Sequence, residues 1–274
     1  MLLLAIAVAR AAAPPARFHI ANAGIHQTED GALAGSRAVF VPGETIFFSC
    51  QLVGYHVSPE RKIAVHWEFS AVDAAGVPIV EPASGKIVTE LALEDKEWKP
   101  KIRQTVPIPP MAESGVYKIK FSATDELGGA VASIEEPFTV HGHPVEASTS
   151  LEVRNFRFYR TEEETTRPLA VAAYRPGDAV WARFEITGYK LGPENLRDVA
   201  YTVSVTGPGG RVLLPPSDPT VDQTKSFYLV KYVPCVIRLN LQPNQRKDEY
   251  TILIKAEDRL GNQTYDGAYT FRVE

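Results

Sequence analysis

A sixteen-residue phrase occurs twice in this chain. Phe40 to Tyr55 reads Phe-Val-Pro-Gly-Glu-Thr-Ile-Phe-Phe-Ser-Cys-Gln-Leu-Val-Gly-Tyr, and 134 residues later Tyr174 to Tyr189 reads Tyr-Arg-Pro-Gly-Asp-Ala-Val-Trp-Ala-Arg-Phe-Glu-Ile-Thr-Gly-Tyr. Pro-Gly sets a turn, apolar residues then recur at every second position, and Gly-Tyr closes the run, which is the pattern of a half-buried strand. Ile46, Phe48, Cys50 and Leu52 face inward in the first copy, and Val180, Ala182, Phe184 and Ile186 in the second. A chain that starts the same strand twice, half its length apart, is expected to hold two domains of one kind.

The size agrees. Two domains of about 120 residues each bury roughly two-thirds of their unfolded surface, so neither needs a metal or a disulfide to fold, and no cofactor is expected. The formal charge of −4 comes from acidic and basic residues mixed along the sequence with no Lys/Arg cluster, which excludes nucleic acid as an expected partner. Leu2 to Ala9 is a short apolar run, and Ala9-Arg10-Ala11 has the form of a signal-peptidase site, although no Lys or Arg precedes the run. Residues 1–11 are therefore expected to be a signal peptide and the protein periplasmic or extracellular. The run is too short to span a bilayer, and no later stretch approaches the ~20 apolar residues required.

The rest of the chain repeats in register. Phe18 to Gln27 and Leu151 to Tyr159 open the two copies. Ile63 to Val72, with Val65, Trp67, Phe69 and Ala71 on one face, matches Val199, Tyr201, Val203 and Val205. Tight turns at Asp73 to Gly76 and Gly207 to Gly210 lead to short strands expected at Pro78 to Val80 and Val212 to Leu214. After one residue is lost the offset becomes 133, and strands follow at Lys101 to Ile108 and Pro234 to Leu241, at Val116 to Ala123 and Tyr250 to Ala256, and at Phe138 to Val140 and Tyr269 to Val273. About seven short strands per copy, with turn chemistry between them and no helical period, predict an all-β chain of two tandem β-sandwich domains, 16–141 and 151–274, joined by a polar linker over 142–150. Cys50 aligns with Phe184 and Cys235 with Ile102, so both cysteines replace core hydrophobes in different domains and are expected to be buried free thiols.

These residues resemble the immunoglobulin-like superfamily. Pro42 to Cys50 looks like its second strand, Trp67 like its core tryptophan, and Glu113-Ser114-Gly115-Val116-Tyr117 like the corner before its sixth strand, with Tyr250 as the same tyrosine in the second copy. The second cysteine of such a domain is replaced by Ile119 and Ile252, so no inter-sheet disulfide is expected. The likeness is thus to the disulfide-free tandem immunoglobulin-like or fibronectin-like modules of bacterial exported proteins. It covers residues 16 to 274 and implies a fold shared by many functions, carrying over no catalytic residue.

Chemistry is sparse. All six histidines lie in the first copy or the linker, and His141-Gly142-His143 offers two imidazoles without further ligands, so no metal site is expected. Asp125 and Asp258 are read as hairpin-turn residues rather than calcium ligands, and the acidic pairs Glu135-Glu136 and Glu162-Glu163-Glu164 as solvated loops. No nucleophile elbow, zinc-protease helix motif or phosphate-cradling loop is present. The candidate binding residues are Trp181 and its counterpart Phe47, which strand alternation turns outward in both copies. Either they form an apolar platform for a sugar ring or a partner side chain, or a neighbouring loop such as Thr161 to Arg167 covers the indole. The expected function is non-catalytic: binding a protein or polysaccharide partner, or spacing other components. A periplasmic chaperone or proteinase-inhibitor module is the alternative, and accessory domains of an enzyme a second one.

Overall fold

The computed structural model describes residues 17–274 except 30, 36, 96, 145 and 147, so the apolar leader read in residues 1–11 lies outside the described part. The fold is all-β: the described elements are strands, apart from two three-residue 3-10 turns at Pro193–Asn195 and Pro208–Gly210. The chain divides into two compact units, one holding the residues up to Pro110 with Ser114–Gly142, the other Met111–Glu113 with His143–Glu274.

The first unit contains β1 (His19–His26), β2 (Val39–Phe40), β3 (Thr45–Val53), β4 (Lys62–Val72), β5 (Ala83–Glu90), β6 (Lys101–Pro107), β7 (Gly115–Asp125) and β8 (Val131–Val140). They form two sheets, ordered β1-β3-β6 and β2-β8-β7-β4-β5. The second unit contains β9 (Glu152–Tyr159), β10 (Ala173–Tyr174), β11 (Ala179–Thr187), β12 (Arg197–Thr206), β13 (Val212–Leu214), β14 (Thr220–Thr224), β15 (Tyr232–Asn240), β16 (Asp248–Asp258) and β17 (Gln263–Val273). Its sheets run β9-β11-β15 and β10-β17-β16-β12-β13, with β14 also on β12. Each unit is a β-sandwich, and the architecture fits immunoglobulin-like modules.

The alternation of the repeated phrase becomes the core. Ile46, Phe48, Cys50 and Leu52 are buried, as are Val180, Ala182, Phe184 and Ile186. Cys50 lies opposite Ile102 and Phe184 opposite Cys235, so one cross-strand pair holds its sulfur on β3 in the first unit and on β15 in the second. Both thiols are free and buried, and burial pushes each pKa up to about 12. Tyr117 and Tyr250 are buried, and Tyr250 donates its hydroxyl to the Arg246 carbonyl at 2.6 Å, closing the corner before β16.

The strand map departs from expectation in three places. Pro78 makes only an isolated bridge to Val72, because the turn at Asp73 leaves too few residues to continue pairing. Two edge strands, β5 and β14, are additional. Ala-Ser-Gly-Lys-Ile-Val-Thr-Glu and Thr-Val-Asp-Gln-Thr carry little apolar pattern because they pair on one side only, with β4 and β12. The closing strands β8 and β17 begin earlier than their apolar ends suggested. Trp67 is half-buried rather than a full core residue: it stacks on Phe121 at 6.2 Å and lies beneath Gly85, where a Cβ would stand 2.4 Å from the indole.

Candidate binding face

Much of the chemistry in the sequence is consumed by the frame. Asp125 is 2% exposed and accepts the backbone N–H of His56 at 2.7 Å and those of Leu127 and Gly128 at 3.1 Å. Asp258, fully buried, does the same for Lys190 at 2.9 Å, Leu260 at 3.1 Å and Gly261 at 2.9 Å. In both units one carboxylate therefore ties the segment after Gly-Tyr to the tip of a hairpin. They are turn residues, as expected, but their long-range bonds to His56 and Lys190 are not visible in a local reading. Gly54 and Gly188, both at φ +76°, bring the chain into reach of these carboxylates.

His141 and His143 do not assemble a metal site, and no group of three metal-ligating side chains occurs among the described residues. His143 instead pairs with Glu185, a buried carboxylate whose other oxygen accepts Asn155 Nδ2 at 2.7 Å. The Asn155 bond is again part of the frame. Asn155 and Asn22 both take positive φ, 52° and 49°, beside register irregularities, and Asn22 donates to Gln51 at 2.7 Å just as Asn155 does to Glu185.

Trp181 and Phe47 sit at equivalent points on the outward faces of the three-stranded sheets, and both are half-buried. Their surroundings differ. Phe47 lies between His26 on β1 and Thr105 on β6, and the hydroxyl of Ser49, the next outward position, is hydrogen-bonded with His26 Nε2 at 2.9 Å. Trp181 lies between Tyr159 on β9 and Arg238 on β15; the next row is Arg157, Arg183 and Val236. The Arg238 guanidinium stands over the Trp181 ring, 5.3 Å from its centroid, and that of Arg183 over the Tyr159 ring at 5.9 Å. Neighbouring guanidinium groups, rather than open water alone, thus meet the two aromatic side chains. The segment expected to cover the indole is held to Arg183, which donates to the Glu162 carbonyl.

The bonds made by this arginine group are to neutral acceptors. Arg157 Nη1 donates to the Phe156 carbonyl at 2.9 Å, Arg183 to the Glu162 carbonyl, and Arg238 Nε to Asn240 Oδ1 at 3.1 Å. Arg154, one row on, is neutralised by Glu152 and Glu146. Among the described residues, no carboxylate pairs with Arg157, Arg183 or Arg238. Sequence reasoning placed Arg183 beside Trp181 but missed Arg157 and Arg238, which arrive from the two flanking strands; only the strand register joins them.

A concavity of about 810 Å³ lies elsewhere, on the outer face of the larger sheet of the first unit, lined by Glu68, Ser70, Lys120, Ser122 and Ser133 among others. A concavity of about 380 Å³ recurs at the matching place in the second unit, around Thr202, Ser204, Lys255 and Asp266. Its recurrence with different linings marks it as a product of sheet curvature.

No family model matches this chain, and no curated relative matches it either. Among solved structures it is similar to the C-terminal domain of the Streptococcus pyogenes antigen I/II-family protein AspA, at 9% identity over 94% of this chain and 100% of that one, with a TM-score of 0.33. It is similar also to the C-terminal domain of the Streptococcus agalactiae AgI/II polypeptide BspA, at 10% identity over 94% and 98% of the two chains, TM-score 0.33. A mutant Salmonella alpha-2-macroglobulin matches at 14% identity over 96% of this chain and 15% of that one, TM-score 0.28. Likeness of this order identifies neither a function nor a ligand.

Proposed function

We propose that this chain is a non-catalytic exported binding module, and that the outward face of β9, β11 and β15 meets a polysaccharide or protein partner. The observation that carries the reading is the arginine and aromatic cluster around Trp181. Three guanidinium groups share one sheet face with no carboxylate partner among the described residues, and surface aromatic and arginine residues are the types that dominate interface energies. The carboxylates of Asp125 and Asp258 and the thiols of Cys50 and Cys235 are by contrast enclosed in the frame and spent on structure. The apolar leader supports an extracytoplasmic site of action.

The test is the full chain on a glycan array and against candidate surface proteins, with Trp181→Ala alongside. A half-buried indole with one cation–π partner predicts a loss of about 1–2 kcal/mol in stability together with loss of binding. A stability loss of about 4–5 kcal/mol, as for a core aromatic, or unchanged binding by a folded variant, would refute the assignment of the site.

A further inference from the structure

We propose that the ligand of this face is an acidic polysaccharide, a chain of carboxylated or sulfated sugars, held by Arg157, Arg183 and Arg238. The inference rests on the binding reading above and adds the chemistry of the ligand to it.

The geometry of the three guanidinium groups is the first support. Arg157 and Arg183 are directly opposite on neighbouring strands. Like charges so placed destabilise a sheet unless an anion lies between them. Arg238 is the diagonal neighbour of Arg183, since Arg183 pairs with Val236 two residues before it. Strands lie ~4.8 Å apart, so three cations share a patch the size of one or two sugar rings. Among the described residues no carboxylate pairs with any of the three. Glu185, the nearest carboxylate in register on β11, is already engaged by His143 and Asn155.

Orientation is the second support. A guanidinium carries five N–H donors, so one that lies over an aromatic ring and makes a single hydrogen bond still has donors for a planar or trigonal oxyanion. Arg238 over Trp181 and Arg183 over Tyr159 are two such groups: each commits one N–H within the protein, to Asn240 Oδ1 and to the Glu162 carbonyl, and has others left for a ligand. Carboxylate and sulfate both match that fork.

The composition of the face separates a polysaccharide from an acidic protein. Protein interfaces have an apolar core, depleted in charge, into which anchors insert. Here Val236 is the exposed aliphatic side chain, at 41%, and the aromatic rings are topped by cations. A sheet face that presents guanidinium groups around its aromatic rings suits a hydrated polyanion. The overall charge of −4 does not oppose this, because charges more than about 8 Å away are largely screened at physiological salt. The first unit offers no second such face: Gly24, Ser49 and Thr105 stand where the arginines are.

The experiment is calorimetric titration of the full chain with four probes: an oligogalacturonate, a sulfated heparin-type oligosaccharide, a neutral cello-oligosaccharide and poly-L-glutamate. One or both acidic oligosaccharides should bind, less tightly as salt rises. The triple variant Arg157→Gln/Arg183→Gln/Arg238→Gln should weaken that binding about tenfold or more while staying folded with a melting temperature close to wild type, since the removed like-charge pair offsets the two lost cation–π contacts. Which acidic probe is preferred tells carboxylate from sulfate. Should the triple variant fail to fold, Arg157→Gln alone, at an exposed position, should still lower the affinity several-fold. Binding of the neutral oligosaccharide that survives the arginine changes would overturn the acidic assignment and leave the binding reading standing. Poly-L-glutamate bound as tightly as the acidic sugars would overturn it in favour of an acidic protein. No binding to any of the four, with none on the glycan array or to surface proteins, would remove both readings.

Discussion

Replacing Asp258 measures how much one buried carboxylate contributes to the second unit. Its Oδ1 accepts Leu260 N at 3.1 Å and Gly261 N at 2.9 Å, while Oδ2 accepts Lys190 N at 2.9 Å and Gln263 Nε2 at 3.3 Å. Three backbone donors thus hold charge-assisted bonds worth about 1.5 kcal/mol each at the lower end of their range. Removing the carboxylate also removes the cost of keeping it dry, which returns roughly 1–2 kcal/mol. Asp258→Ala is therefore expected to cost about 3 kcal/mol. Asp258→Asn keeps one acceptor oxygen for the hairpin donors and turns an NH₂ toward Lys190, so it should cost about half as much. The assay is urea denaturation of the full chain with amide hydrogen exchange, in which Lys190 and Gly261 should lose protection first. A loss below about 1 kcal/mol for the alanine variant, or full protection of the Lys190 amide in it, would refute the role assigned to this side chain.

Three further outcomes follow from single residues. Tyr250→Phe removes the 2.6 Å bond to the Arg246 carbonyl and should cost about 1 kcal/mol in the same assay, with the core packing intact. Gly188→Ala places a Cβ 1.8 Å from the Ser150 carbonyl at φ +76°, a backbone clash that no rotamer relieves; it should cost more than about 3 kcal/mol or prevent folding, as read by thermal melting. Cys50 and Cys235, with pKa values pushed up to about 12 by burial, should resist a thiol-specific disulfide reagent at pH 8 in the native protein and react fully in urea.

What the sequence reveals depends on whether the signal is periodic or relational. The cores were legible because burial on one face of a strand imposes a period of two, and Ile46 to Leu52 and Val180 to Ile186 show it without interruption. The repeat offset, which aligns Cys50 with Phe184 and Cys235 with Ile102, made the core placement of both cysteines legible, but not that these positions face one another across neighbouring strands. The edge strands β5 and β14 were not, because an edge strand half exposed to water needs few apolar residues, and Gly85 is there for the Trp67 ring rather than for a turn. Asp125 and Asp258 showed their turn role in the spacing of Asp to Gly. Their bonds to His56 and Lys190 span 69 and 68 residues and leave no local trace. Trp181 stood out as an apolar residue at a polar position. The cluster that surrounds it is assembled by register across three strands, and one-dimensional reading sees only the middle one.

Comparing the two units position by position separates what the fold requires from what it tolerates. At positions that hold the backbone in a fixed geometry the copies match: Asp125 with Asp258, Asn22 with Asn155, Gly54 with Gly188. Each of these positions has a geometric job, a buried acceptor or a left-handed residue, and few residue types can do it. On the outward face of the three-stranded sheet the chemistry differs at every site around the shared aromatic position. Gly24, Ser49 and Thr105 correspond to Arg157, Arg183 and Arg238. Both sets are compatible with the same ladder, so the backbone does not choose between them. Folding alone would favour the first set, since three like charges side by side without counter-charges cost stability in one sheet. The second unit carries that cost on the face that also holds Trp181. A bound anion would offset it, which is the balance that the proposed acidic ligand supplies and that the arginine variants measure.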